Sequence, residues 1–334
     1  MIMNLRYLYL GACLCTLLAA GCTDDAASVG QVEEPAAVFR LSTRAEVSDG
    51  TQLFRLYLGE RKPEHAADEL HCNRIVDITG GQVELTGLKP QWYKFVFLGV
   101  PRLEGVGTAL FTEETPGQGS CDLNKQMIDY LPILRQEPGT KMPDREVPDG
   151  DIFRKVINRW VVSGETVSED VQLERLNGRL VIDMGVLEDQ FEGTVEDITL
   201  QVDDTPTRIY LTDNDRGEIK MADPQTLTWL TEPVANAMTD GNGQPIDPTG
   251  HHVITINLLP GALNGSIVVR TTTGTFTYPL KGSYNGDQLY IKQNTQTQLE
   301  FNGVIQGYFQ VKYAGYTDTG INVDDDSWDG WQIK

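Results

Sequence analysis

The chain has 334 residues, of which 22% are charged and 40% are hydrophobic, and its formal net charge at pH 7 is −21. This excess of acidic groups opposes binding to nucleic-acid phosphates or anionic headgroups, so we expect no nucleic-acid partner. The length is sufficient for two domains with cores of their own.

The first 21 residues have the organisation of an export signal. Arg6 is their single positive charge, and the apolar run from Leu8 to Leu18 is too short to span a bilayer permanently. Three small residues then precede Cys22. This order resembles the lipobox of bacterial lipoproteins, in which the cysteine sulfur receives a diacylglycerol and the preceding peptide is removed. An ordinary secretory signal cleaved after Ala20 is the alternative.

Lipidation of Cys22 predicts a protein that is held at a membrane. Each buried methylene contributes about 0.8 kcal/mol, so two or more acyl chains bind almost irreversibly. Asp24 and Asp25 follow the cysteine and resemble the acidic export signals of surface lipoproteins in Bacteroides-like bacteria. We therefore expect a lipid-anchored protein of the cell outer membrane that is exposed at the surface.

Two of the five cysteines belong to the predicted folded part of the chain. Two others are removed with the signal and Cys22 carries the lipid, so Cys72 and Cys121 remain. Both would lie in an oxidising compartment, where a disulfide across so long a loop contributes roughly 4 kcal/mol in the chain-entropy model. Two buried free thiols are the alternative, because spacing in sequence does not fix the distance between the two Cα atoms.

Short runs of alternating apolar residues from Val38 onward predict β-strands. In the first half of the chain these runs cover 51–58, 83–88 and 93–100. Residues 123–134 are the best helical candidate, although Pro132 breaks or caps it. The strands predicted in the second half are 171–173, 179–184, 197–202, 207–212, 218–221, 252–258, 266–272, 274–280, 288–291, 297–301 and 308–312.

Many short strands with closely spaced turn signals predict an all-β fold of the sandwich type and argue against a parallel sheet with crossover helices. The dipeptides Asn264-Gly265 and Asn285-Gly286 lie between β-branched runs and predict hairpin turns. The predicted organisation is a cleaved signal (1–21), a lipidated flexible stalk (22–36), an N-terminal sandwich domain (37–165) and a C-terminal sandwich domain (166–334).

No group of residues predicts catalysis, a metal site or a cofactor, so we expect no enzymatic activity. There are four histidines, and none has the spacing of metal ligands. His251 and His252 are adjacent, and neighbouring strand residues point to opposite faces, so the two cannot easily bind one ion together. We expect them in a loop or at the entry to a strand. Residues 213–218 begin like a calcium loop, but Gly217 and Glu218 stand in the wrong order. This segment predicts a hairpin turn.

Exposed aromatic side chains are an alternative source of function, because indole and phenol rings stack on sugars and offer one polar tip. In a sandwich a tryptophan lies more often in the core, and only the last two candidates are clustered in sequence. This alternative is a surface glycan-binding lipoprotein of a polysaccharide-utilisation system. The candidates are Trp92, Tyr93, Trp160, Trp229, Trp328 and Trp331.

Three segments follow the lipobox in a distinctive order. The first is 83–97, which contains VELTGL and YKFVF. The second is VQLERLNGRLVI at 171–182, and the third is INVDDDSWDGW at 321–331. Together they resemble the FimB-type fimbrial anchor lipoproteins, and the closing Trp-Asp-Gly-Trp is the most distinctive part. The resemblance implies two tandem transthyretin-like, Greek-key β-sandwich domains that anchor a fimbrium to the outer membrane and limit its length.

The same resemblance implies a protein partner, the first stalk subunit, which is joined by strand addition. A donated strand satisfies the unpaired N–H and C=O groups of an open sheet edge. Arg40 and Arg44 lie near the first strand, but cleavage there would detach a lipidated N-terminus, so we expect the chain to stay uncut. The predicted contact residues lie in the C-terminal strands and are Tyr308, Val311, Ile321, Val323, Trp328 and Trp331.

Overall fold

A computed structural model of the protein describes residues 37–43, 52–61, 70–101, 111–112, 122–135, 150–214, 217–231, 250–282, 287–301 and 309–315. Within these ranges the regular secondary structure is β-strand apart from three single-turn helical segments, and turns and irregular segments connect these elements. The predicted all-β fold class is confirmed.

The strands follow the alternation of apolar and polar residues. In β9, for example, Val171, Leu173 and Arg175 are buried, and the residues between them are exposed. The helical turns are Leu123–Lys125, Leu131–Leu134 and Leu187–Gln190. The strands are β1 (Ala37–Thr43), β2 (Gln52–Glu60), β3 (His71–Ile78), β4 (Gln82–Leu85), β5 (Gln91–Pro101), β6 (Phe111–Thr112), β7 (Met127–Asp129), β8 (Phe153–Val161), β9 (Val167–Arg175), β10 (Gly178–Asp183), β11 (Val195–Thr205), β12 (Arg208–Asp213), β13 (Ile219–Ala222), β14 (Gln225–Thr231), β15 (Val253–Leu258), β16 (Gly261–Thr271), β17 (Thr275–Pro279), β18 (Leu289–Ile291), β19 (Thr295–Phe301) and β20 (Phe309–Gly315).

The N-terminal half forms a seven-stranded sheet with the order β3-β2-β5-β8-β9-β1-β4. This sheet folds over on itself. Phe39 of β1 contacts Phe95 and Phe97 of β5, with ring centroids 4.8 Å and 5.1 Å apart. These rings belong to a core that also contains buried residues of β2, β4, β8 and β9. The two ends of the sheet are therefore the two layers of a sandwich.

The predicted domain boundary at 165 and 166 lies in the turn between β8 and β9. Strand β9 pairs in parallel with β1 and antiparallel with β8. The seven-stranded sheet therefore continues to Arg175, and β10 is the first strand of the next sheet.

The C-terminal half forms a second sandwich. One layer has the order β15-β10-β19-β20, and the other has the order β14-β11-β16-β17, with β18 also paired to β16. Phe301 of β19 lies between the layers, with its ring centroid 4.8 Å from that of Tyr278 and 5.7 Å from that of Phe191. Aromatic packing therefore joins the two sheets.

A fourth sheet connects the halves of the chain. Its order is β13-β12-β7-β6, so β7 of the N-terminal half pairs with β12 of the C-terminal half. The larger hydrophobic core contains Val96 and Leu98 together with Ile209 and Leu211. Backbone pairing and a shared core therefore both join the two sandwiches.

The helix predicted over 123–134 is wrong in its central part. Met127–Asp129 form β7, which pairs with β12, and the Tyr130 N–H donates to the Thr207 carbonyl at 2.7 Å. These tertiary hydrogen bonds override a weak helical periodicity. Helical structure remains at Leu123–Lys125 and at Leu131–Leu134, where Pro132 stands at the start of the turn, the position that suits its fixed φ and missing N–H.

The hairpin turn predicted at Asn264-Gly265 is also wrong. Both residues lie inside β16, where Asn264 is opposite Asp203 and Gly265 is opposite Val202. Gly265 has a φ of +141°, and a Cβ added there would lie 2.0 Å from the Gln201 carbonyl oxygen. The glycine is required because two strand backbones approach closely. The second predicted turn, at 285–286, lies outside the described residues.

Candidate functional site

The candidate site is the free edge of the sheet that contains β20. Strand β20 pairs with β19 along its whole length, from Phe301 opposite Phe309 to Thr295 opposite Gly315. On its other side a single bridge joins Phe309 to Gly282. In the described part of the chain no other strand pairs with this outer side. The backbone after Phe309 therefore presents an edge that can accept another strand.

Side chains at alternate positions of β20 pack against the core of the second sandwich. Phe309 is fully buried, and its ring centroid lies 5.6 Å from that of Phe301. Val311 is half-buried and packs against the same core. A Cβ added at Gly282 would lie 3.0 Å from a Val311 methyl group, so the absence of a side chain at Gly282 leaves room for Val311. The strand is thus fixed by its side chains, while no described strand covers its outer backbone after Phe309.

Of the predicted contact residues, Val311 lies in β20. Tyr308, Ile321, Val323, Trp328 and Trp331 lie outside the described residues, as does the predicted lipidation site, Cys22. Their roles stay predictions.

The predicted disulfide involves one residue that the structure describes. Cys72 is fully buried in β3. Its neighbour His71 forms an antiparallel bridge with Asp122, and the Leu123 N–H donates to the Leu70 carbonyl at 2.7 Å. Cys121 lies outside the described residues, so the pairing stays a prediction.

Two of the predicted aromatic candidates meet at the surface. Trp92 of β5 and Trp160 of β8 are directly opposite in register, with ring centroids 5.9 Å apart and planes at 71°. They are 59% and 48% exposed. Tyr93 and Trp229 are buried instead, and the Trp229 indole donates to the Leu134 carbonyl at 2.8 Å. The pairing of β5 with β8 thus creates a cluster that was not visible in the sequence.

The adjacent histidines precede β15, which confirms their predicted place at a strand entry. His251 lies at the surface with its Nδ1 3.0 Å from the Asp183 carboxylate. His252 is buried, and burial lowers its pKa from 6.5 to about 4, against the opposing effect of the Asp183 charge. The two imidazoles therefore have different surroundings.

A small polar cavity of about 170 Å³ lies between the halves of the chain. Two cations line it, and each is paired. Arg154 forms an ion pair with Asp213 and donates to the Tyr210 carbonyl at 3.2 Å, and Lys155 lies 2.5 Å from Glu174. These contacts tie β8 to β12 and to β9, which gives the cavity a structural role.

The described ranges carry neither a metal-binding cluster nor a membrane-spanning helix. Those ranges contain no group of three or more His, Cys, Asp or Glu side chains placed to hold a metal ion. Nor does any helix found there have the length and apolar character needed to cross a membrane. The segment 213–218 joins β12 and β13, which pair antiparallel, so the predicted hairpin is confirmed.

No family model and no curated protein matches the chain. Among solved structures, a candidate polysaccharide-binding protein from Bacteroides thetaiotaomicron is similar over 84% of this chain and 96% of its own, with 11% identity and a TM-score of 0.47. The fimbrial anchor protein Mfa2 from Porphyromonas gingivalis is similar over 85% and 99%, with 7% identity and a TM-score of 0.42. A fimbrial assembly protein from Parabacteroides distasonis is similar over 83% and 92%, with 8% identity and a TM-score of 0.38. Similarity at this level assigns neither a family nor a function.

Proposed function

We propose that this protein is a non-enzymatic fimbrial anchor subunit. A lipid on Cys22 holds it at the outer membrane, and it binds the first stalk subunit by β-strand addition and limits the length of the fimbrium. The observation that carries the proposal is the position of β20 at the edge of the C-terminal sandwich, with its outer backbone after Phe309 unpaired in the described part of the chain.

Backbone hydrogen bonds would stabilise a strand added along β20. The edge from Gln310 to Gly315 has the length of an ordinary strand. Each backbone hydrogen bond formed with an incoming strand contributes about 0.5–1.5 kcal/mol net. The predicted contact residues between 316 and 334 would add side-chain contacts to this pairing.

Lipid attachment and partner binding use different parts of the chain. The predicted tether precedes β1, which lies in the first sandwich, and β20 belongs to the second. An added strand therefore does not compete with the pairing of β1. This separation suits a protein that must hold a membrane and a partner at the same time.

The first test removes the predicted contact segment. A variant that lacks residues 322–334 is expressed in a native host from which the gene has been deleted, and fimbriae are counted by electron microscopy on cells and in the medium. We expect the variant to reach the cell surface while fimbriae are shed into the medium. Fimbriae that stay attached at the wild-type level would contradict the role of this segment.

The second test addresses the edge itself with a matched pair of variants, Lys312→Pro and Tyr313→Pro. Along β20 the N–H groups of consecutive residues point alternately towards β19 and towards the outer side. In one of the two variants the proline therefore removes a hydrogen bond to β19 and destabilises the sheet. In the other variant the proline removes an N–H that only an incoming strand would use. Thermal unfolding identifies the variant that keeps wild-type stability. We expect that variant to lose fimbrial attachment, and retained attachment would overturn strand addition at β20.

A further inference from the structure

Trp92 and Trp160 form an exposed pair of indole rings on the first sandwich. On the same face of β5, Val96 and Leu98 are buried in the larger core, Lys94 is half-buried and Trp92 is exposed. The face therefore changes from core to solvent along one strand, and the largest side chain stands at the solvent end. Leaving an indole in water forgoes the stabilisation that burial would supply.

The two indole rings are packed edge to face. With the planes at 71° and the centroids 5.9 Å apart, the edge of one ring meets the face of the other. A ligand that lies on one indole is therefore bounded on one side by the second indole. Asn158 stands directly opposite Lys94 on the same face, and its side chain is exposed two residues before Trp160.

The size of the patch favours a small ligand over a protein. At about half exposure, two indoles present on the order of 250 Å² of surface. The exposed Val162, which follows Trp160 by two positions, enlarges the patch only slightly. A stable protein interface buries about 800 Å² on each partner. Two aromatic rings beside an exposed amide match the apolar face and the hydroxyl groups of one or two sugar rings.

We propose that Trp92 and Trp160 form a binding site for a neutral carbohydrate. A net charge of −21 opposes the approach of polyanionic glycans, so the ligand class is uncharged polysaccharide. One sugar ring stacks on an indole face, and the exposed Asn158 amide bonds its hydroxyl groups. The site lies on the first sandwich, away from the edge at β20, and does not depend on the proposed fimbrial function.

Affinity gel electrophoresis of the full chain tests this site. The neutral probes are amylopectin, galactomannan and xyloglucan, and chondroitin sulfate is the anionic comparison. The variants are Trp92→Ala, Trp160→Ala and Trp160→Phe. Leu230→Ala is the matched control, because Leu230 is 62% exposed on β14 of the other sandwich. Thermal unfolding shows which variants keep the wild-type fold.

We expect at least one neutral probe to retard the wild-type chain and chondroitin sulfate to leave it unretarded. Each Trp→Ala change should weaken binding at least tenfold, Trp160→Phe should retain part of it, and Leu230→Ala should bind as wild type. Absence of retardation by every neutral probe would overturn the proposal, as would equal binding by both Trp→Ala variants and the wild type. If the Trp→Ala variants lose fimbrial attachment while no probe binds, the patch is a protein contact and the proposal is wrong.

Discussion

His252 is a buried histidine whose titration should weaken the fold at acidic pH. The side chain is 1% exposed, and burial lowers its pKa from 6.5 to about 4. Since the pKa is lower in the folded chain than in the unfolded chain, the unfolded chain binds the proton first as the pH falls. This contribution to the free energy of unfolding is complete above about pH 6.5 and is lost progressively towards pH 4. The shift corresponds to roughly 3 kcal/mol.

Replacing His252 with Asn removes this titration and keeps a polar side chain. Urea unfolding at pH 7, 6, 5 and 4 gives the free energy of unfolding for both proteins. Carboxylates that do not interact with position 252 contribute equally to both curves, so the difference between the curves reports His252 together with its coupling to the Asp183 charge. We expect the wild type to lose about 3 kcal/mol more than His252→Asn between pH 7 and pH 4.

The control for this experiment is Thr255→Ser, a change at a buried position of β15 that does not ionise. It should lower the free energy of unfolding by the same amount at every pH. Parallel curves for the wild type and His252→Asn would refute the assigned role of His252.

Three further predictions concern backbone fit, lipidation and the disulfide. Gly265→Ala should destabilise the fold by about 3 kcal/mol in thermal unfolding, because the added Cβ meets a backbone carbonyl of β11. Gly274→Ala, where the Cβ makes ordinary contacts only, is its control. Cys22→Ala should abolish labelling by radioactive palmitate and release the protein from the membrane fraction. Alkylation of the denatured, unreduced protein should modify neither Cys72 nor Cys121, and modification of both would support free thiols.

Alternation in the sequence predicted only part of the strand set. In β9 (167–175) it predicted the segment 171–173, where the inward residues alternate, and β14 was not predicted although its inward residues also alternate. In β8 the adjacent residues Phe153 and Arg154 are both buried and the residues near its end are exposed, so no period of two appears. The turn wrongly predicted at Asn264-Gly265 has a similar cause. This dipeptide is typical of turns, but here Gly265 lies inside β16 and allows close contact with the neighbouring strand.

The candidate sites depend on strand order, which local sequence does not encode. Trp92 and Trp160 are far apart in the chain and meet only because β5 pairs with β8. The resemblance pointed to the C-terminal strands, and Val311 lies in one of them. That β20 is an edge follows only from the order β15-β10-β19-β20. Parts of β5 and β20 were predicted from sequence and β8 was not, and the pairing that gives each of them a role was not visible in any of them.

The position of β1 bears on how an anchor would carry load. A lipid on Cys22, as proposed above, would pull on the chain ahead of Ala37, and β1 pairs in parallel with β9 from Ala37 opposite Val167 to Thr43 opposite Leu173. Strand β9 continues towards β10 and the second sandwich, where the proposed partner binds. Tension therefore draws β1 towards its N-terminal end and β9 towards its C-terminal end, which are opposite directions for parallel strands. The force acts along the strands, so it loads all the hydrogen bonds of the pair together, whereas a force across them would break the bonds one at a time. A tether ahead of β1 would thus load the β1–β9 pair along the strands, the direction in which its hydrogen bonds share the force.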